Sequence, residues 1–182
     1  MIMEMESPLA EVFDWTPAWE ERFARANAEL LTVLPADATI EHVGSTSVPG
    51  LAAKPIIDIL VTTSRVDELR TDLQAIQAVG YYYNPKYFAD DPDHLFLRRD
   101  ADGRRTEHLH IFHPRSPCPQ SDRTFRDYLI AHPDAAQRYG EAKSAAAQSN
   151  PESRGQYGQA KEPVLQELLH VARAWAAESD HH

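Results

Sequence analysis

One acidic residue interrupts an otherwise apolar segment at positions 56–61, where Asp58 stands among isoleucine, leucine and valine. The segment is typical of a buried central strand. A carboxylate in the middle of such a strand is costly to bury unless it is paired, hydrogen-bonded or bound to a metal. Asp58 is therefore either a structural acid satisfied by backbone amides or one lysine, or a carboxylate of a functional site.

Two histidines, His108 and His110, are separated by one residue in a second strand-like segment. Alternate residues of a strand share a face, so both imidazoles point the same way and can bind zinc or manganese. Alone, such a pair is more often partly exposed and without function. If it converges on Asp58, the three residues form a catalytic or metal site, with His42 as a further metal ligand. Three neighbouring polar residues are predicted to lie outside that site, namely Glu41, which would point to the other face of its strand, His94 and His113.

A run of small residues from Gly44 to Gly50 precedes the strand of Asp58. Gly44, Ser45 and Ser47 can present backbone N–H and hydroxyl groups to a phosphate, and glycine permits a close approach. The run lacks the Lys-Ser/Thr ending of a Walker loop, which excludes a P-loop. Lys54, four residues before Asp58, is either a phosphate ligand or an ion-pair partner.

The carboxyl-terminal third contributes further cationic and aromatic candidates. Arg126 is a suitable phosphate partner because its guanidinium can bind in a bidentate manner. Tyr139 with Lys143, and Tyr157 with Lys161, form pairs four residues apart on helix faces. These pairs either stack on a base and clamp a phosphate, or are surface packing with extended lysines, and we favour the second interpretation.

The elements that position these residues follow from hydrophobic spacing, caps and turn signals. The predicted order is a mixed α/β region followed by helices, with Ser64 and Ser121 as helix caps and Pro163 as a point where the last helix is kinked or restarted. The predicted helices cover 16–34, 121–131, 133–147 and 154–178, with one more between the Ser64 cap and Gly80 at its C′ position. The predicted strands cover 39–43, 56–61, 81–83, 94–99 and 104–112.

Composition limits the function classes. The 182 residues are 42% hydrophobic and 25% charged, as expected of one globular domain. The net charge of -10 disfavours duplex nucleic acid as a partner, because phosphate backbones require a basic surface. The single cysteine indicates a reducing compartment. Residues 1–5 lack the basic start of a secretory signal, and no apolar run is long enough to cross a membrane, so we expect a cytoplasmic protein.

The segment from Glu41 to Ile59, EHVGSTSVPGLAAKPIIDI, resembles the signature of the GrpB family. Further matches are the His108–His110 segment, the FRDYL motif at 125–129, and the His-Pro pair at 132–133. The resemblance extends from residue 15 to about residue 161. It implies an α/β (α+β) nucleotidyltransferase-like fold, in which a mixed β-sheet is flanked by helices and followed by a helical tail. A related domain is attached to some dephospho-coenzyme A kinases.

The resemblance also implies a site, from which this sequence departs. Nucleotidyltransferases carry a Gly-Ser turn, two acids two residues apart on the next strand, and a third acid on a later strand, which together hold two divalent metals. Gly44, Ser45 and Asp58 match that pattern. Ile56 and Leu60 stand where the paired acid would be, and histidines replace the later acid. Aspartate with imidazoles favours a softer ion such as manganese or zinc over magnesium.

We therefore predict one domain over 1–182, with an α/β core at 15–113 and a helical tail at 120–178. The leading hypothesis is binding of a nucleotide or other phosphorylated small molecule, with or without metal-assisted nucleotidyl or phosphoryl transfer. Asp58, His108 and His110 would bind metal or act in acid–base steps, and Ser45, Ser47, Lys54 and Arg126 would contact phosphate. The alternatives are a non-catalytic binding or interaction module, and a single-metal hydrolase that uses the same Asp/His/His group.

Overall fold

The computed structural model describes residues 11–179, so the amino-terminal segment 1–5 considered above lies outside the described residues. Within these residues, five strands and three helices make up the first two-thirds of the chain, and three further helices make up the last third. The strands are β1 (Thr39–Val43), β2 (Ile57–Thr62), β3 (Tyr82–Tyr83), β4 (His94–Ala101) and β5 (Arg104–Phe112). The helices are α1 (Ala18–Leu30), α2 (Val66–Thr71), α3 (Gln74–Ala78), α4 (Cys118–Ala131), α5 (Pro133–Ser149) and α6 (Arg154–Ser179).

The strands form one mixed sheet in the order β1-β2-β5-β4-β3. Strands β2 and β5 are parallel, and every other neighbouring pair is antiparallel. The register of the parallel pair sets Asp58 opposite His108 and Leu60 opposite His110. Because paired residues share a face, the carboxylate and both imidazoles lie on one side of the sheet, as the spacing predicted.

The other side of the sheet carries the main hydrophobic core. Alternate strand residues such as Ile59, Leu97 and Leu109 are fully buried there against Trp19 and Leu30 of α1 and against residues of α2 and α3. Inward-facing aliphatic residues at every second position account for this burial. The polar site face is therefore backed by a packed apolar layer.

The three last helices form a second cluster around the small-residue turn. Val48 of the turn and Leu51, just after it, are buried with Leu129 of α4, Tyr139 of α5 and Leu168 of α6. Helices α5 and α6 pack on each other, and α4 packs on both of them and on β1. The predicted helical tail is thus confirmed, and it is held beside the turn that precedes Asp58.

Several predicted boundaries are corrected by local packing. Helix α1 ends at Leu30 rather than at residue 34, and the helix predicted between Ser64 and Gly80 is divided into α2 and α3. Ser64 does not cap α2, because its amide and hydroxyl groups donate to Asp37 at 2.9 and 2.7 Å. Helix α4 begins at Cys118, three residues before the predicted Ser121.

Of the two effects predicted for Pro163, a kink or a restart of the last helix, the restart is wrong, since α6 continues through Pro163. A proline removes one amide donor from a helix, and tertiary packing can compensate for that loss. Here Tyr157, before the proline, and Leu168, after it, are both buried against the rest of the protein. Among residues 11–179, no helix is long and apolar enough to cross a bilayer.

Leu109→Ala tests the position of the core. Leu109 is fully buried at the centre of the sheet, so the truncation should lower the free energy of unfolding by about 2–5 kcal/mol in urea titrations. Leu31→Ala is the matched control, because that side chain is 62% exposed, and it should cost less than about 1 kcal/mol. Equal costs for the two variants would contradict the assigned core.

Candidate functional site

Asp58, His108 and His110 meet on the open face of the sheet. Nδ1 of His108 lies 2.9 Å from Oδ1 of Asp58. Each of the three residues offers one ligand atom, and these atoms lie within 4.8 Å of one another. All three side chains are partly accessible. The convergence that the sequence analysis required is therefore confirmed, and the group has the composition and spacing of a metal site.

The turn beside this group is shaped by a close approach to Asp58. Gly44 has a φ of +71°, a conformation that other residues rarely adopt. A Cβ built at Gly44 would lie 2.9 Å from Cγ of Asp58 and closer still to its Oδ2. Glycine is thus required twice, for its backbone angle and for the space that the carboxylate occupies.

His110 is joined to a histidine that the sequence analysis placed outside the site. Nε2 of His94 lies 3.0 Å from Nδ1 of His110, and the two rings stack at 5.2 Å. Burial lowers the pKa of His110 to about 4, against the charge of Asp58, which raises it. His110 is therefore neutral at pH 7, and in the tautomer whose Nδ1–H donates to His94 its Nε2 is available to a metal.

His42 is not a member of the group, and Glu41 lies where His42 was expected. His42 pairs with Ile59 across the strands, so it faces the core side. Its ring stacks on Phe23 at 4.8 Å, and its Nε2 lies 2.9 Å from Oγ1 of Thr46. Glu41 pairs with Leu60 and therefore shares the site face. The sequence alone could not show which of Glu41 and His42 faces the site, because the register between β1 and β2 was unknown.

A cavity of about 350 Å³ opens beside Asp58 and His108. We call it the lysine cavity, because three lysines line it together with two tyrosines and the turn. Its walls are formed by Ser45, Thr46, Ala53, Lys54, Ile56, Asp58, His108, Tyr139, Lys143, Tyr157, Gly158 and Lys161. Ser45 and Lys54, two of the predicted phosphate ligands, are therefore brought next to the Asp/His/His group.

The helical tyrosines and lysines belong to this cavity, so their interpretation as surface packing is wrong. Tyr139, Tyr157 and Lys143 are buried, and Lys143 is only 3% exposed. Nζ of Lys161 donates to the hydroxyl of Tyr139 at 3.3 Å, and Nζ of Lys54 lies 4.0 Å from the centre of the Tyr157 ring. The sequence showed these pairs on helix faces but not that both faces turn towards the sheet.

A second cavity of about 250 Å³ adjoins the lysine cavity at Asp58. We call it the Asp122 cavity, after an acidic residue of α4 that the sequence analysis did not identify. It shares four residues with the lysine cavity, namely Ser45, Asp58, Tyr139 and Lys161, and its remaining walls are Gly44, Val48, Asp122, Phe125, Arg126, Leu129 and Leu165. No motif in the sequence distinguishes Asp122 from other helical acids.

Two predicted phosphate ligands are engaged elsewhere. The hydroxyl of Ser47 donates to the carbonyl of Gly44 at 2.6 Å, and Ser47 lines neither cavity. Arg126 lines the Asp122 cavity, but its guanidinium donates to Asp127 at 2.7 Å and to Glu41 at 3.3 Å. Ser47 shapes the turn and Arg126 ties α4 to β1, so neither is placed as a direct phosphate contact.

Comparison with known proteins identifies the family to which the chain belongs. The family described as GrpB protein matches residues 10–171. A crystal structure of the conserved protein GrpB from Enterococcus faecalis superposes with a TM-score of 0.79 at 32% identity, which covers 91% of this chain and 99% of that one. The chain therefore belongs to the GrpB family.

Three sequence relatives show the extent of the similarity. A UPF0157 protein of Pseudomonas aeruginosa is 36% identical over 92% of this chain and 68% of its own length. A UPF0157 protein of Bacillus subtilis is 31% identical, and the chain spans 48% of that relative. A dephospho-CoA kinase of Mycolicibacterium paratuberculosis is 30% identical over 75% of this chain and 39% of its own length.

More distant structural neighbours are nucleotidyltransferases. A cytoplasmic RNA terminal U-transferase gives a TM-score of 0.42 at 14% identity, and the match covers 72% of this chain and 43% of that one.

Gly44→Ala tests the close approach to Asp58. Gly50→Ala is the matched control, because Gly50 also has a positive φ, of +80°, but open space where a Cβ would stand. The control should lower the free energy of unfolding by about 1–3 kcal/mol through backbone strain alone. Gly44→Ala should cost clearly more in urea denaturation, because the methyl group displaces Asp58. An equal cost for both variants would show that the contact is not required.

Proposed function

We propose that this protein binds a nucleotide or another phosphorylated small molecule in the lysine cavity, with a divalent cation at Asp58, His108 and His110. The observation that carries the proposal is Lys143. Its ammonium group is buried beside Asp58 and the other lysines, and within residues 11–179 its Nζ has no hydrogen-bond partner. A phosphate would supply the missing acceptors.

The electrostatics of the cavity support an anionic ligand. An ammonium group without a hydrogen-bond partner is costly to bury, and the Lys161 charge adds to that cost. The face of the Tyr139 ring, whose centre lies 4.6 Å from Nζ of Lys143, offsets part of it. Burial first, and then the Lys161 charge, lower the pKa of Lys143 to about 7, while Asp58 opposes the shift. A bound phosphate would stabilise the protonated form, and Ser45 at the Gly44 turn offers an additional donor.

The Asp/His/His group fits a divalent cation. Neutral imidazole is the form that binds metals, and His110 is neutral at pH 7 because burial lowers its pKa. Its second nitrogen is held by His94, as is usual for metal-binding histidines. One carboxylate with two imidazoles suits manganese or zinc better than magnesium. A bound cation would neutralise charge on the phosphate of a ligand.

Two kinds of chemistry are compatible with this site, besides binding without turnover. Nucleotidyl or phosphoryl transfer is supported by the position of Asp58 in the wall of the lysine cavity. A single-metal hydrolase is supported by the ligand set, because one carboxylate and two imidazoles leave coordination positions for water. The second strand acid of a two-metal site is replaced by Ile56 and Leu60, so Asp58 stands alone on β2.

Lys143→Met tests the anion site. The variant should bind ATP or inorganic triphosphate at least about tenfold more weakly in calorimetric titrations, because a charge-assisted contact is lost. It should also melt about 2–4 °C higher, since a buried charge is replaced by an apolar chain of similar length. Lys86→Met, at an exposed lysine, is the control for both measurements.

The same titrations report on the protonation state of the Lys143 side chain. The ammonium form exists below the pKa of about 7, so anion affinity should rise as the pH falls through 7. At pH 7.5, binding should take up roughly half a proton or more, measured as the difference between HEPES and Tris buffers. Lys143→Met should lose this uptake. Unchanged affinity and uptake in that variant would refute the proposed anion site.

Asp58→Asn and His110→Gln test the metal site. Both variants should lose stoichiometric binding of Mn²⁺ or Zn²⁺, because each removes one of three ligands, with a weakening of at least about tenfold. His113→Gln is the control, since His113 lies in a loop and accepts from the amide of Arg115. Metal binding that is equal in the wild type and both ligand variants would exclude the assigned group.

A further inference from the structure

Aromatic side chains continue the open face of the sheet beyond His108, towards the strand at its edge. We call this surface the aromatic face; it consists of Tyr82 of β3, Tyr87 and Phe88 of the loop between β3 and β4, and Phe96 and Arg98 of β4. We propose that it binds the base of a nucleotide whose phosphates occupy the lysine cavity. The phosphate end of this ligand rests on the proposed function, whereas the base end depends on the aromatic face alone.

The register of the sheet places the aromatic face next to the Asp/His/His group. His108 pairs with Asp58 on one side and with Arg98 on the other, and Arg98 pairs with Tyr82. Because directly paired residues share a face, these four residues form one row across the sheet. Neighbouring strands lie about 4.8 Å apart, so Arg98 stands roughly 10 Å from Asp58. Since His108 also lines the lysine cavity, the row joins that cavity to the aromatic face.

A buried ring supports two exposed ones. The centre of the Phe96 ring lies 5.4 Å from that of His108. It also lies 5.5 Å from the ring centres of Tyr87 and Phe88, which meet it edge to face. Phe96 is only 6% exposed, whereas Tyr87 is 41% and Phe88 is 49% exposed. The loop therefore presents two accessible rings one ring contact away from His108, and such rings are a surface on which a base can stack.

Tyr82 and Arg98 extend this surface to the edge of the sheet. Tyr82 is 55% exposed, and Cζ of Arg98 lies 5.2 Å from the centre of its ring. The guanidinium is kept in place by Asp100, whose Oδ2 lies 3.5 Å from Nε of Arg98. Bases stack on guanidinium planes as well as on aromatic rings, so both side chains contribute to the same kind of contact.

Phe88 adopts a backbone conformation that a bulky residue rarely takes. Its φ is +56°. Its ring lies 4.2 Å from the ring of His94, and the amide of Asp91 donates to its carbonyl at 3.1 Å. Strain of this kind persists where neighbouring contacts hold the residue, and it is concentrated at ligand-binding sites. The loop thus keeps the ring against the sheet while half of its surface stays open to a ligand.

Charge sets the direction of the ligand. Asp90 and Asp91 follow Phe88 in the loop, whereas three lysines line the cavity at the other end of the row. The loop would repel a phosphate but not an uncharged base. In a nucleoside triphosphate a ribose and two phosphate groups separate the base from the last phosphate, so one molecule can reach both ends.

Binding of ATP and of inorganic triphosphate to the full chain tests the inference, with the same concentration of Mn²⁺ in every calorimetric titration. The two probes share the phosphate chain, and only ATP carries a base. ATP should bind at least about tenfold more tightly, because stacking adds to the phosphate contacts. In NMR spectra of the complex, the adenine protons should give nuclear Overhauser effects to the ring protons of Tyr87.

Tyr87→Ala should weaken ATP about tenfold and leave triphosphate unchanged. Tyr87→Phe keeps the ring and should bind ATP as the wild type does, which separates stacking from the hydroxyl group. Tyr82→Ala is a second variant on another element, and it should weaken ATP several-fold. Ile130→Ala is the matched control and should change neither affinity, since Ile130 is 48% exposed on α4 and lines neither cavity.

Equal affinity of the wild type for ATP and triphosphate, or equal ATP affinity in the wild type and in Tyr87→Ala, would overturn the base site and leave the proposed anion site intact. ATP binding that is weakened by Tyr87→Ala but not by Lys143→Met would do the reverse. Dimerisation that Tyr87→Ala abolishes in analytical ultracentrifugation, together with equal affinities for ATP and triphosphate, would assign the aromatic face to a second copy of the chain and overturn the base site.

Discussion

The parallel pairing of β2 with β5 is the constraint on which the site depends. It sets Asp58 beside His108 and places His110 one pleat further along the same face. A shift of the register by one residue would turn both imidazoles towards the apolar layer. The fully buried residues of these two strands, Ile59 and Leu109 among them, resist such a shift because each would have to leave the core. The hydrophobic side of the sheet thus fixes the geometry of its polar side.

Much of this arrangement could be predicted from the sequence, because it depends on alternation within single strands. The shared face of His108 and His110 followed from their spacing, and the cost of burying a lone acid identified Asp58. The GrpB signature then indicated the fold. The face of His42 could not be predicted in the same way, because it depends on the register between two strands rather than on spacing within one.

Two residues whose surroundings the sequence did not reveal come from the helical tail. Lys143 and Asp122 have ordinary neighbours along the chain, and their surroundings exist only after α4, α5 and α6 pack against the turn. Helical periodicity shows which residues share a face, but not what that face meets. For the same reason, the ion pairs of Arg126 could not be predicted: Glu41 belongs to a distant strand, and Asp127 is its neighbour in the chain.

Gly44 has a consequence for how the chain can vary. Its missing side chain leaves a space into which the carboxylate of Asp58 projects. The two positions are therefore coupled: a larger residue at 44 requires a smaller one at 58, which would remove the acid. Selection for the carboxylate would then act on a residue that itself carries no reactive group. A larger residue at 44 is expected to be tolerated only together with a smaller residue at 58, whereas a substitution at 58 that is no larger than aspartate leaves Gly44 unaffected.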